Sequence, residues 1–522
     1  MVRVAVVGCA HGLLDDIYAT INFVYQMDPA HPVELLLCCG DFECMRNMRD
    51  LETLACPPKY RALHAFHQYY KQKKIAPVLT IFVGGNHEAS GYLQELLYGG
   101  WVAPNIFYLG ASGVINVAGL RIAGLSGIYK QQHYTAGRFE APPYDNNTMR
   151  SVYHVRELEV FQLSHLQQVD KTPLNVFLSH DWPRGIEQHG NLSQLLRRKP
   201  FFKQEIMTNT LGSPAGEYLM YQLRPQHWFA AHLHVKFAAV VVHPHQSRGG
   251  NKPNNGEASE THKTEQDAAP VLPPSEPVTT KFLALDKCLP RREFMQILDM
   301  APSAVRPARP QQITKDTESV DMKQDATTAD EGTGTSRTVA RSSRPRIMFD
   351  LEWLAILRAT HHLASVSKFA PRVPQEEMKI EDKDIAWVKQ RLKEFVAEKK
   401  LDKAPGEWIT DFVKTAPGHG EEQDGSTVVA GNPQTDLLLE LLKLPHVITS
   451  PFSGGDAASG AVEDPNEIDL DDDGDASDLD SKPVDVEDRT SRHDLALANE
   501  TVVTNIEVAA PADPCEIDLD GE

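Results

Sequence analysis

One junction recurs along this chain: a short apolar run ends at or just before glycine, serine or alanine, and residues able to bind a metal follow at once. Residues 2–8, 33–39 and 77–83 are rich in valine, isoleucine and leucine. Runs of that length and composition read as strands buried on both faces. The first ends Gly8-Cys9-Ala10-His11-Gly12, the second Gly40-Asp41-Phe42-Glu43, and the third Gly84-Gly85-Asn86-His87-Glu88. Two later runs, at 174–179 and 227–231, end Ser179-His180-Asp181 and Ala231-His232-Leu233-His234. Further strands are expected at 106–109, 114–118, 120–124 and 236–243, with helices over 13–27 and 59–74. This alternation predicts an α/β domain of mixed sheets flanked by helices. In such folds the functional side chains sit where strands end and loops begin.

A divalent metal needs several N, O or S donors converging at about 2.0–2.3 Å. Five strand ends can supply them. Taken singly, each set has an ordinary reading. Asn-His is common in turns, and Asp41 after glycine can be a helix cap. Cys9 alone is a small core hydrophobe. His232 and His234 share a face of an extended segment, which can be coincidence. Five sets at successive strand ends make a metal centre the better reading.

The order Cys9-x-His11, Gly40-Asp41, Gly85-Asn86-His87-Glu88, His180, His232-x-His234 resembles the calcineurin-like metallophosphoesterase superfamily. Cys9 stands where most members have Asp, and Ala231 replaces a glycine. The cysteine makes the chain similar to one family within it, the RNA lariat debranching enzymes. Further strings carry that resemblance: Ser179-His180-Asp181-Trp182-Pro183-Arg184-Gly185-Ile186, Leu211-Gly212-Ser213-Pro214-Ala215, and the stretches 228–239 and 281–290. The resemblance implies a metallophosphoesterase β-sandwich. It also implies hydrolysis of the 2′–5′ phosphodiester at the branch point of excised intron lariats, in pre-mRNA processing and intron turnover. By the family pattern Asp41 bridges two metal positions. Cys9, His11 and His234 complete the first, and Asn86, His180 and His232 the second. His87 would stabilise the phosphate and protonate the departing 2′ oxygen, with Glu43 or Glu88 orienting it. A thiolate at Cys9 favours Fe²⁺ or Zn²⁺ over Mg²⁺, with Mn²⁺ a further option. It lacks a carboxylate's second oxygen, which leaves one or two ions per site open.

Residues 127–158 form a long insertion that interleaves Tyr129, Lys130, His133, Tyr134, Arg138, Phe139, Tyr144, Arg150 and Tyr153. Aromatic rings stack on unpaired bases at about 1–3 kcal/mol each, and cations pair with phosphates. Loops beyond about 12–15 residues are usually functional or disordered. The resemblance implies that this one is the lariat recognition loop.

The formal charge of −20 over 522 residues argues at first against an RNA partner. Its location reverses that. Residues 1–250 hold 22 Lys+Arg against 19 Asp+Glu, while residues 463–522 hold 21 acids and three bases. The expected organisation is a catalytic domain over 1–243, a disordered linker at 244–279 and a family-specific segment packing on the core at 280–298. A second disordered linker at 299–343, a small helical domain at 344–449 and a disordered acidic tail at 450–522 complete it. The helical reading rests on Phe349, Leu351, Leu354, Leu357 and Leu363, then Ile385, Val388, Leu392 and Phe395, at helical spacing. The tail repeats Glu-Ile-Asp-Leu-Asp at 467–471 and 516–520, either as acidic low complexity or as a motif that docks a protein partner.

Seven cysteines without CxxC pairing read as reduced thiols of the cytosol or nucleus. No apolar run of about eighteen residues predicts a membrane span, and the N-terminus lacks a signal peptide pattern. The implied substrate points to the nucleus, with the cytoplasm second. Arg341-Ser342-Ser343-Arg344-Pro345-Arg346 and Arg197-Arg198-Lys199 are weak import signals. Two other readings compete. A phosphatase of the same superfamily usually carries basic residues after Gly-Asp, where this chain has Phe42-Glu43-Cys44-Met45. A non-catalytic scaffold should lack ligands, and only the Cys9 exchange departs.

Overall fold

A computed structural model describes residues 1–167, 173–244, 277–302, 345–374, 378–421 and 431–447. The linkers expected at 244–279 and 299–343 fall mostly outside these residues, and the acidic tail lies wholly outside them.

Two mixed sheets organise the described chain. The first is built from β1 (Val2–Val7), β2 (Leu35–Cys38), β3 (Leu79–Phe82), β4 (Gly100–Ala103) and β5 (Ile106–Tyr108). The second begins with β6 (Ser112–Val117), β7 (Leu120–Leu125), β8 (Val176–Ser179), β9 (His227–Ala230) and β10 (Phe237–Val242). Three late strands join them: β11 (Thr279–Ala284), β12 (Met295–Met300) and β13 (Ile347–Phe349). The six-stranded order is β12-β1-β2-β3-β5-β4, and the seven-stranded order is β10-β11-β9-β8-β7-β6-β13. β1, β2, β3 and β5 run parallel, as do β7, β8, β9 and β11. Parallel strands covered on both faces need continuous apolar sequence. β2 and β3 are buried at every residue. The outer strand β10 alternates buried and exposed residues, leaving Val240 and Val242 in solvent.

The helix Leu14–Met27 buries Leu14, Ile17, Tyr18, Ile21 and Val24, the one-faced spacing that covers a sheet. The helix expected over 59–74 is shorter. A 3₁₀ turn spans Pro58–Tyr60, a helix spans Phe66–Tyr70, and Gln72 at φ 59° stops it. The left-handed region disfavours a continuing helix for a residue with a Cβ.

The segment after 344 is not helical throughout. β13 pairs antiparallel with β6, and only then do the helices Leu351–Thr360, Asp382–Glu398 and Pro433–Leu442 follow. Asp350 caps the first of these by accepting from the Trp353 amide, and both its oxygens also accept from the Arg121 guanidinium on β7. Glu352 takes a third Arg121 bond at 2.7 Å. This charge cluster is buried and fixes the C-terminal segment to the second sheet. Breaking such a cluster from one side costs about 3–5 kcal/mol.

Candidate metal centre

Every expected ligand sits on a turn leaving a strand, and the backbone there is unusual. His11 (φ 44°), Asp41 (46°), Glu43 (58°), His232 (63°) and His234 (46°) are all left-handed. Such a conformation costs of order 1–3 kcal/mol per residue and persists only where the surroundings enforce it. The neighbouring turns do so through backbone bonds: His11 N–H to Asp41 C=O at 2.6 Å, Ala10 N–H to Gly40 C=O at 3.2 Å and Ala231 N–H to His180 C=O at 3.0 Å. The glycines have steric reasons. A Cβ on Gly85 would lie 2.1 Å from Asp41 Oδ1, and one on Gly40 would lie 2.2 Å from His180 Nδ1.

Cys9, His11, Asp41 and His234 bring one ligand atom each to within 4.8 Å of one another, and all but His11 are buried. His11 Nε2 is 3.3 Å from His234 Nε2 and 3.7 Å from Asp41 Oδ2. Burial and the Asp41 charge push the Cys9 thiol well above its ordinary range, while the His232 amide donates to its sulfur at 3.2 Å. A metal taken up here therefore displaces a proton, which makes its affinity rise with pH.

Asp41 turns its other oxygen to a second group. Oδ1 is 3.3 Å from His180 Nε2, which is 3.0 Å from Asn86 Oδ1. His180 Nδ1 faces the Cys39 carbonyl at 2.8 Å and must donate to it. Burial depresses the His180 pKa, so the ring is neutral at pH 7 and its Nε2 is a bare lone pair. Three electron-rich atoms then face one another. That arrangement is repulsive by itself and suits a cation. The His232 ring lies 4.9 Å from His180, and burial lowers its pKa to about 4. The residues present thus fit a divalent ion at either group, with Asp41 between them.

His87 is 8% exposed, its ring centroid is 5.5 Å from that of His11, and its amide donates to Asp41 Oδ1 at 2.9 Å. Its two expected orienters serve other partners. Glu88 accepts from the amides of Phe42, Glu43 and Gly85 at 2.8–3.0 Å, tying the second strand end to the third. Glu43 faces His11 Nδ1 at 3.3 Å and His64 Nε2 at 3.8 Å. His64 was not among the sequence candidates. It lies in the stretch expected to be helical over 59–74, just before the helix Phe66–Tyr70, and no motif marks it.

The 127–158 insertion is an ordered excursion with short helices at Gln131–Tyr134 and Asn146–Ser151, closed at its base by a bridge between Ile128 and His154. The Tyr129 and Tyr134 rings meet at 5.3 Å, and the Tyr129 amide donates to Asp181, next to His180. Tyr153 and Arg138 line a cavity of about 40 Å³ together with Gly84, Gly85 and Glu88, so the excursion abuts the third strand end. Lys130 and Tyr134 are partly exposed on it.

Arg138 does not serve the expected phosphate role. It is 7% exposed, bonds Glu159 through Nε and Nη2, and donates to the Val152 carbonyl at 2.8 Å. Burial is tolerable for a guanidinium only with such partners. His133 stacks on His154 with their Nδ1 atoms 2.7 Å apart, and burial followed by the Arg156 charge lowers the His133 pKa to about 4. The Tyr144 hydroxyl donates to Gln94.

Comparison with known proteins places this geometry. The calcineurin-like phosphoesterase profile matches residues 2–236, and the C-terminal domain profile of lariat debranching enzymes matches residues 277–447. The human lariat debranching enzyme is 46% identical over 365 residues, 70% of this chain and 55% of its own length. The Drosophila pseudoobscura enzyme is 41% identical over 83% of this chain and 74% of its own. That of Arabidopsis thaliana is 38% identical over 87% of this chain and 89% of its own. The chain thus spans little more than half of its human relative and most of its plant one. With a candidate metal cluster that includes Cys9, two mixed sheets and a matching C-terminal segment, the chain belongs to the lariat debranching enzyme family.

Proposed function

We propose that this chain hydrolyses the 2′–5′ phosphodiester at the branch point of excised intron lariats, linearising them for turnover. The observation that carries the reading is the pairing of the two donor groups on Asp41 with an aromatic, partly basic excursion against the same strand end. The residues for the first metal position are Cys9, His11, Asp41 and His234. Those for the second are Asp41, Asn86, His180 and His232. A divalent ion bound there supplies Lewis-acid polarisation of a phosphoryl oxygen and lowers the pKa of water. The softness of Cys9 favours Fe²⁺ or Zn²⁺ over Mg²⁺.

The protein's own groups do the rest. The His87 amide fixes the Asp41 oxygen that faces His180. The His87 ring, beside His11, is the candidate to hold the phosphate charge and give a proton to the departing 2′ oxygen. Tyr129, Lys130, His133, Tyr134, Tyr144 and Tyr153 belong to the wall that meets unpaired nucleotides flanking the branch, Tyr129 and Tyr134 through ring faces.

A phosphatase role is disfavoured by Arg46, the first basic residue after Gly40-Asp41. Its guanidinium is buried and bound to Asp50 and Glu95, away from any terminal phosphate. Placement in the nucleus, and a protein partner for the acidic repeats, belong to the same proposal and follow from the substrate and the sequence.

The test is a branched RNA carrying 2′–5′ and 3′–5′ linkages, with and without chelator. Chelator-sensitive cleavage of the 2′–5′ bond alone is expected. Phosphomonoesterase activity without debranching would overturn the reading.

A further inference from the structure

We propose that His64 is a positioning residue for the metal centre, acting through Glu43 on His11; the proposal rests on the metal-centre reading above. To coordinate through Nε2, a histidine must carry its proton on Nδ1, and the group that accepts that proton sets tautomer and ring angle. His11 Nε2 points at His234 and Asp41, and its Nδ1 is 3.3 Å from Glu43 Oε1. Glu43 is therefore the acceptor. Its side chain is 8% exposed, and its backbone is left-handed at φ 58°.

A carboxylate held by one histidine can rotate, and rotation releases the His11 ring. The second oxygen of Glu43 has its own partner. Oε2 is 3.8 Å from His64 Nε2, an ion-pair separation rather than a hydrogen bond. His64 is itself pinned. Its ring packs so tightly on Gly12 that a Cβ there would lie 2.6–2.7 Å from His64 side-chain atoms. Its carbonyl faces His67 Nδ1 at 2.7 Å. Gly12 follows His11 directly, so His64 braces both the backbone turn that carries His11 and the carboxylate that orients its ring. The His64 side chain is 32% exposed, which places it at the rim and not in the cluster.

The experiment uses the full chain, stripped of metal and reloaded with Co²⁺, whose visible absorption reports ligand geometry. His64→Ala should weaken Co²⁺ binding about tenfold and change the band intensities, the usual size of effect for a partner of a ligating histidine. It should lower kcat on branched RNA with KM unchanged. His64→Gln, which keeps a polar group at similar reach but no charge, should recover only part of the loss. The pair His64→Ala/Glu43→Gln should lose less than the sum of the two single changes, because both act on His11. Co²⁺ affinity and spectrum within twofold of the parent in His64→Ala would overturn the proposal. A rise in KM alone would overturn it as well and make His64 an RNA contact. If His11→Ala also left Co²⁺ binding intact, the metal-centre reading would fail instead.

Discussion

The metal-centre turns and the 127–158 excursion are both held rigid, by opposite means. At the centre the backbone does the holding. Five left-handed non-glycine residues and two glycines with no room for a Cβ leave the ligands little freedom. In the excursion the side chains do it. Arg138 on Glu159 and Arg156 on Glu140 are buried ion pairs, and His133 stacks on His154. The first design tolerates almost no change at its glycines. The second stakes its order on charges whose removal leaves a partner buried and unpaired. If the proposed roles hold, mutation should separate the two regions.

The largest expected effect is at Gly85. Gly85→Ala drives a methyl into Asp41, and displacing that carboxylate by about 1 Å should cost roughly 10²-fold or more in rate. The loss should appear on branched RNA and on bis-nitrophenyl phosphate alike; loss on RNA alone would break the contrast between the regions. Next comes Arg138→Ala, which leaves Glu159 buried without its cation. Thermal or urea unfolding should report about 3–5 kcal/mol of destabilisation. Below the transition, bis-nitrophenyl phosphate cleavage should survive while debranching falls.

Cys9→Asp should shift metal preference from Zn²⁺ or Fe²⁺ towards Mn²⁺ or Mg²⁺. Unchanged stoichiometry and preference by metal analysis would remove Cys9 from the ligand set. The smallest effect is a pH dependence where the C-terminal segment attaches to the second sheet. Burial raises Glu352 to about 7, against the Arg121 charge that opposes it. The folded state thus holds that proton longer than the unfolded one, and this contribution to stability is lost as pH rises towards 7. Glu352→Gln cannot ionise. Its melting temperature relative to the parent should therefore improve between pH 5 and pH 8; a flat difference would contradict the assignment.

Much of this was legible in the residues themselves. β1, β2 and β3 are continuous apolar runs, and only a covered parallel sheet suits such runs. The strand ends followed, and with them Cys9, His11, Asp41, Asn86, His180, His232 and His234. β4 escaped because Gly100-Trp101-Val102-Ala103 follows another glycine and shows no alternation. β13 escaped because three residues running straight into a helix carry no period of their own. Arg138 was misjudged for a different reason. Its partner Glu159 is twenty-one residues away, and spacing alone cannot distinguish a cation facing solvent from one sunk against a distant carboxylate. Glu43 and Glu88 posed the same problem, since partners such as His64 are set by tertiary structure.

The strand order also bears on how the protein is made. Every candidate ligand lies before residue 235, yet β9 needs β11 beside it and β1 needs β12. A nascent chain that has released Val242 therefore carries every candidate ligand on two sheets with open edges. At about 5–20 residues per second, reaching Met300 takes about 3–12 s. For that interval β1 and β9 present unpaired backbone to any passing strand. The long stretch between β10 and β11 lengthens this window, although no candidate ligand lies in it.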